Sequence, residues 1–134
     1  MSALEMLTLS ECWDRLRSQQ VGRIGFDRGR GPRIHPVGYV VHGGDLLLTT
    51  SEDSELGSFV RMFGGGSVVS FEADQVDASR GEQWSVLVGA RVAEAEADAA
   101  KGRVPEAPAG HDEMVVRLTP IEVTGRRMTG AEIS

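Results

Sequence analysis

HPVGYVVHGGDLLLTTSEDSEL, residues 35–56, is the stretch on which the fold turns. Val37, Tyr39 and Val41 recur at every second position, the period of a strand with one buried face. His42-Gly-Gly-Asp45 follows, and two glycines accept the positive φ that a tight hairpin turn needs. Leu46–Thr50 then returns as the partner strand. Four hydroxyls, Thr49, Thr50, Ser51 and Ser54, stand next to three acids, Glu52, Asp53 and Glu55. Leu56, Phe59, Val60 and Phe63 recur at helical spacing, which predicts a short helix over 53–62. Gly64-Gly-Gly66 stops it. A strand end that runs into a helix start brings hydroxyls and backbone N–H groups together, chemistry that suits a phosphate. The acids would repel one, and no cation stands within the stretch.

Upstream, Thr8-Leu-Ser-Glu11 has the spacing of a capping box, with Leu7 and Cys12 at the staple positions. Leu9, Cys12, Trp13 and Leu16 predict a helix over 9–19. Val21–Phe26 reads as a strand with Val21 and Ile24 inward, and Asp27–Pro32 as a turn. Residues 33–41 are the first strand of the hairpin. Downstream, Ser67–Glu72 reads as a strand and the polar segment Ala73–Glu82 as a loop. Gln83–Ala95 alternates as a long strand, with Gly89 at a bulge or bend. Ala93–Ala100 favours helix by composition, and 102–112 reads as a loop. Met114–Leu118 and Ile121–Thr124 make a last strand that Pro120 interrupts or confines to an edge. This gives a mainly β chain of about six antiparallel strands, an N-terminal helix and one or two short helices. The pattern alone is compatible with a small barrel or a sandwich.

The 134 residues suit a single domain over 1–134. A net charge of −6 argues against general nucleic-acid binding, which needs a basic face. No apolar run is long enough to span a membrane, and the N-terminus has no signal-peptide pattern, so a cytoplasmic protein is expected. Cys12 is the lone cysteine and reads as a buried, inert thiol. Thirteen of the fourteen basic residues are arginine, the exception being Lys101.

Few catalytic motifs are present. His35, His42 and His111 show no metal-ligand spacing, so no metal site is expected. A haem needs only one histidine and stays a minor alternative. FGGGSVV (63–69) lacks the P-loop lysine and precedes a strand, so it reads as a helix stop. HDEMVV (111–116) reads as a solvated turn. In EQWSVLVGARV (82–92), Trp84 and Ser85 offer either a core tryptophan or a flat wall with a hydroxyl. Pro36–Tyr39 offers strand backbone to a planar ring, because Pro36 has no N–H for the ladder.

The order of LSECWDRLRSQQVGRIGF, PRIHPVGYVVHGGDLLLTT, WSVLVGARV and VRLTPIEVTGRR resembles the pyridoxamine 5′-phosphate oxidase-like family, over residues 5–128. The nearest group is its short flavin-binding split-barrel proteins. The resemblance implies an antiparallel split β-barrel and a homodimer with FMN at the subunit interface. It places Pro36, Val37, Gly38 and Tyr39 along the isoalloxazine ring. Thr49, Thr50 and Ser51 fall at the ring edge, ribityl chain or phosphate. Trp84 and Ser85 fall on a strand that contacts the cofactor, reached across the dimer. Arg126 and Arg127 match a terminal GRR. The family's lysine or arginine after the hydroxyls is Glu55 here, so Arg61, Arg33 or a partner arginine must supply the charge. Failing that, FMN binds weakly or another ligand is used. The resemblance implies an FMN-dependent oxidoreductase of unspecified substrate. Deazaflavin F420 and a non-catalytic binding module are the alternatives. Pyridoxamine phosphate oxidation itself needs a second basic site, for which the sequence offers no clear candidate.

Overall fold

The hairpin forms the centre of one antiparallel sheet in a computed structural model, which describes residues 3–96, 99 and 113–130. The elements are β1 (Ala3–Met6), α1 (Leu9–Arg17), β2 (Val21–Asp27), β3 (Pro32–His42), β4 (Asp45–Ser51), α2 (Glu55–Phe63), β5 (Val68–Asp77), β6 (Glu82–Glu94) and β7 (Glu113–Thr129). Strand order is β1-β7-β4-β3-β2-β5-β6, and β6 also pairs with β7. That last pairing closes six strands into a ring and leaves β1 as a seventh, added at the far end of β7. Closure removes the exposed edges an open sheet would carry.

Inward side chains fill the ring, among them Ile24, Phe26, Tyr39, Phe71, Val86 and Leu118. The α1 helix closes one end with Cys12 and Leu16. Its start is the predicted capping box: Thr8 Oγ1 accepts from the Glu11 N–H, and Glu11 accepts from the Thr8 N–H. The α2 helix buries Leu56, Phe59 and Val60, with Phe59 against Phe26 at 4.9 Å between ring centroids.

Four expectations change. Val21 faces outward; Gly22, Ile24 and Phe26 face in. The Phe71 ring lies where a Gly22 side chain would go, at 2.3 Å from an ideal Cβ, so only glycine fits this inward position. The predicted loop at 73–82 is mostly strand. The β5 strand continues to Asp77, and Gln75 is held by the Trp84 indole N–H at 3.3 Å. The β6 strand continues through Ala93 and Glu94, paired with Arg117 and Val116, so ladder pairing overrides their helical composition. The β7 strand is unbroken across Pro120, because the register slips between Gly89 and Ala90 and Pro120 stands at that irregularity. Gly89 is thus the predicted bulge position. The predicted loop at 102–112, His111, Lys101 and residues 97, 98 and 100 of the Ala93–Ala100 segment lie outside the described residues.

Candidate functional site

The site begins with a break in hydrogen bonding. The β3–β4 ladder runs from His42↔Asp45 to Tyr39↔Leu48 and ends there. Over Pro32–Gly38, β3 pairs with β2. Over Thr49–Ser51, β4 pairs with β7. The two segments singled out by sequence, Pro36–Tyr39 and Thr49–Ser51, therefore border one split in the sheet. Val37 and Tyr39 point into the core; Pro36 and Gly38 face out. The Tyr39 hydroxyl donates to the Leu16 carbonyl at 2.5 Å, and burial raises its pKa to about 12. Only backbone and the outward Pro36–Gly38 edge are left to meet a ring.

At the far end of the split, the hydroxyls cap α2. Ser54 Oγ accepts from the Gly57 N–H at 2.9 Å and lies 2.7 Å from Thr50 Oγ1. Ser51 Oγ accepts from the Asp53 N–H. This turn is tight: a Cβ on Gly57 would lie 2.4 Å from the Ser51 carbonyl oxygen.

Glu55 reaches back from α2 to β3 and its preceding turn. Its carboxylate lies 3.0 Å from His35 Nε2, 3.4 Å from Arg33 Nε and 3.9 Å from an Arg28 guanidinium nitrogen. Glu55 therefore gathers two arginines and the His35 ring from other elements to the split. Arg61 points elsewhere: Glu94 and then Glu52 bind it and raise its pKa.

Trp84 and Ser85 do not join the split within one chain. Trp84 is a buried core residue with the Arg15 guanidinium 5.7 Å from its ring centroid. Ser85 faces out, in a cavity with Glu72, Thr124 and Arg126. Glu72 binds Arg23 at 2.6 Å; burial, then the bond to Asp74, raises its pKa. Sequence spacing gave no signal for the roles of Arg28, His35 or Glu72, since each acts across strands.

The residues fit a flavin in part. The opened β3 edge suits a flat ring with amide-like donors and acceptors. The phosphate end contains hydroxyls and two arginines, but the chain's own carboxylate already engages those arginines. Each such exposed pair contributes about 0–1 kcal/mol. A dianion with bidentate access to Arg33 and Arg28 can displace Glu55 at that cost.

A closed antiparallel ring split between two strands, with helices at its ends, is a split-barrel protein. Residues 8–127 match the pyridoxamine 5′-phosphate oxidase family, and the chain belongs to it. An uncharacterized protein of Mycobacterium tuberculosis is 36% identical over 90 residues, 65% of this chain and 59% of that one. The chain thus spans under two thirds of that relative. The FAD binding protein from Mycobacterium smegmatis is 31% identical, with TM-score 0.72 over 93% of this chain and 98% of its own. An FAD-binding protein from Mesorhizobium loti shares the fold at TM-score 0.77 and 18% identity, covering 97% of this chain and 100% of its own.

Proposed function

We propose that this protein binds a flavin nucleotide through its FMN moiety and acts as an FMN-dependent oxidoreductase, a cytoplasmic homodimer with the flavin at the subunit interface. The observation that carries this reading is the end of the β3–β4 ladder at Tyr39↔Leu48, in a chain of this family. In this reading the Pro36–Gly38 backbone orients the ring. Thr49, Thr50 and Ser51 line the ribityl and phosphate end, and Arg33 with Arg28 holds the phosphate. Bound flavin supplies hydride chemistry at its ring; the chain supplies orientation and charge.

The outer sheet face supports the dimer. Cross-strand register puts Pro36, Arg23, Glu72, Leu87 and Thr124 in one outward row. Exposed Leu4, Met6, Val21, Ile34, Val76 and Leu87 share that face. An apolar face this extended favours burial against a second copy, which would also bring Trp84 and Ser85 of one chain towards the split of the other.

A second reading, FAD in place of FMN, is favoured by the FAD binding protein from M. smegmatis, at 31% identity. F420 fits less well, because its acidic tail needs a basic groove while Arg28, Arg33 and Arg61 each face a carboxylate. Titrating dialysed protein separately with FMN, FAD and F420, with cofactor fluorescence as readout, tests the choice. FMN should saturate at one per chain. Tighter saturation by FAD would select the second reading, and no response to FMN or FAD would overturn both.

A further inference from the structure

A flavin phosphate in the split meets only cations that are already paired. Arg28 and Arg33 each face Glu55, and Arg61 is held by Glu52 and Glu94. Among the described residues, Arg30 and Arg126 are the arginines with neither an ion pair nor a side-chain hydrogen bond. Their surroundings differ. Arg30 stands in the turn at 28–31 between β2 and β3, exposed to water that can solvate it. Arg126 lies on β7 in the outer face, opposite Ser85 of β6 and Met6 of β1.

That face is the one a second copy covers in the dimer. The acids beside Arg126 are taken: Arg23 binds Glu72 at 2.6 Å and Asp74 at 2.7 Å. Covering an unpaired guanidinium is strongly unfavourable unless an anion meets it. The second copy must therefore present one. Its flavin phosphate is such an anion, and the same dimer brings Ser85, the cross-strand neighbour of Arg126, towards that split.

We infer that Arg126 of each subunit reaches across the dimer and binds the flavin phosphate in the other subunit's split. This rests on the flavin reading and its dimer, and it adds a cation that no carboxylate of its own chain holds. A guanidinium fork matches two phosphate oxygens. Each phosphate site is then incomplete in a single chain.

Fluorescence titration of the flavin-free dimer with FMN and riboflavin tests it. Arg126→Gln should weaken FMN at least about tenfold, the scale of a charge-assisted bond, and leave riboflavin unchanged. Arg126→Lys should recover part of the loss. Arg30→Gln should change FMN affinity less than about twofold, because an exposed cation is screened. Mixed dimers identify the chain that supplies the arginine. One chain carries Arg126→Gln; the other carries Gly38→Phe, whose ring fills the flavin's place in its own split. Such a dimer should bind one FMN with wild-type affinity, because the Gly38→Phe chain supplies Arg126 to the intact split. Equal losses for FMN and riboflavin, or a mixed dimer no tighter than the Arg126→Gln homodimer, would overturn the inference. So would an FMN preference that survives Arg126→Gln while the dimer loosens, the result expected if Arg126 met a carboxylate of the second copy instead. Wild-type protein that binds neither flavin overturns the flavin reading as well; wild-type and Arg126→Gln proteins that bind FMN equally overturn this inference alone.

Discussion

Glu55 concentrates the chemistry of the split into one side chain. It holds Arg28, Arg33 and His35 without a ligand and opposes a phosphate with one. Glu55→Gln keeps the shape and removes the charge, so it should tighten FMN about three- to tenfold, the scale of about 1 kcal/mol. Riboflavin, which lacks the phosphate, should bind unchanged, and Glu55→Lys should enlarge the difference. Fluorescence titration of both ligands checks this; equal gains for riboflavin and FMN would place the effect elsewhere. Tyr39 makes a different statement. Its buried hydroxyl is neutral when folded, with a pKa raised from 10.0 to about 12. A raised folded value means stability present below pH 10 and lost as pH climbs towards 12. The loss amounts to about 2–3 kcal/mol. Denaturant unfolding across pH 9–12 should show this limb, and Tyr39→Phe should flatten it. A smaller alkaline loss from buried Cys12, whose pKa burial also raises, should remain.

The start of α2 shows how elements enforce the site. Ser54 caps the helix, and Gly57 lies against the end of β4 with no room for a methyl group. Gly57→Ala should destabilise the fold by about 1–3 kcal/mol, since an overpacked contact must relax through backbone; a lowered thermal midpoint is the readout. Elements of this kind were legible because their apolar residues recur at 3.6 or 2 positions: α1, α2 and the β3–β4 hairpin all follow pattern. The end of β5 was not legible. Asp74 and Asp77 carry no apolar signal, and Gln75, exposed at this end of the strand, breaks the apolar alternation while accepting from the Trp84 N–H. The β1 strand was equally silent, with all four residues exposed and its order set by pairing with β7. The Glu55 cluster escaped for a third reason. Spacing in the chain shows that Glu55 stands where a cation was expected, but only folding brings Arg28, Arg33 and His35 to it.

At the scale of the whole molecule, the ring has one buried interior and one outward face rich in apolar side chains. Sedimentation at micromolar concentration should give a dimer. Leu87→Arg, at the centre of that face, should shift it to monomer and weaken flavin binding with little change in the unfolding midpoint of the monomer. A dimer unaffected by Leu87→Arg would move the interface off this sheet. The central claim, that the split between β3 and β4 is the flavin site, is tested most directly by amide NMR of the protein titrated with FMN. The account predicts the largest shifts at Val37, Gly38, Thr49, Thr50 and Ser51, saturating at one FMN per chain. Saturable binding that leaves these amides unmoved, or no binding at all, would contradict it.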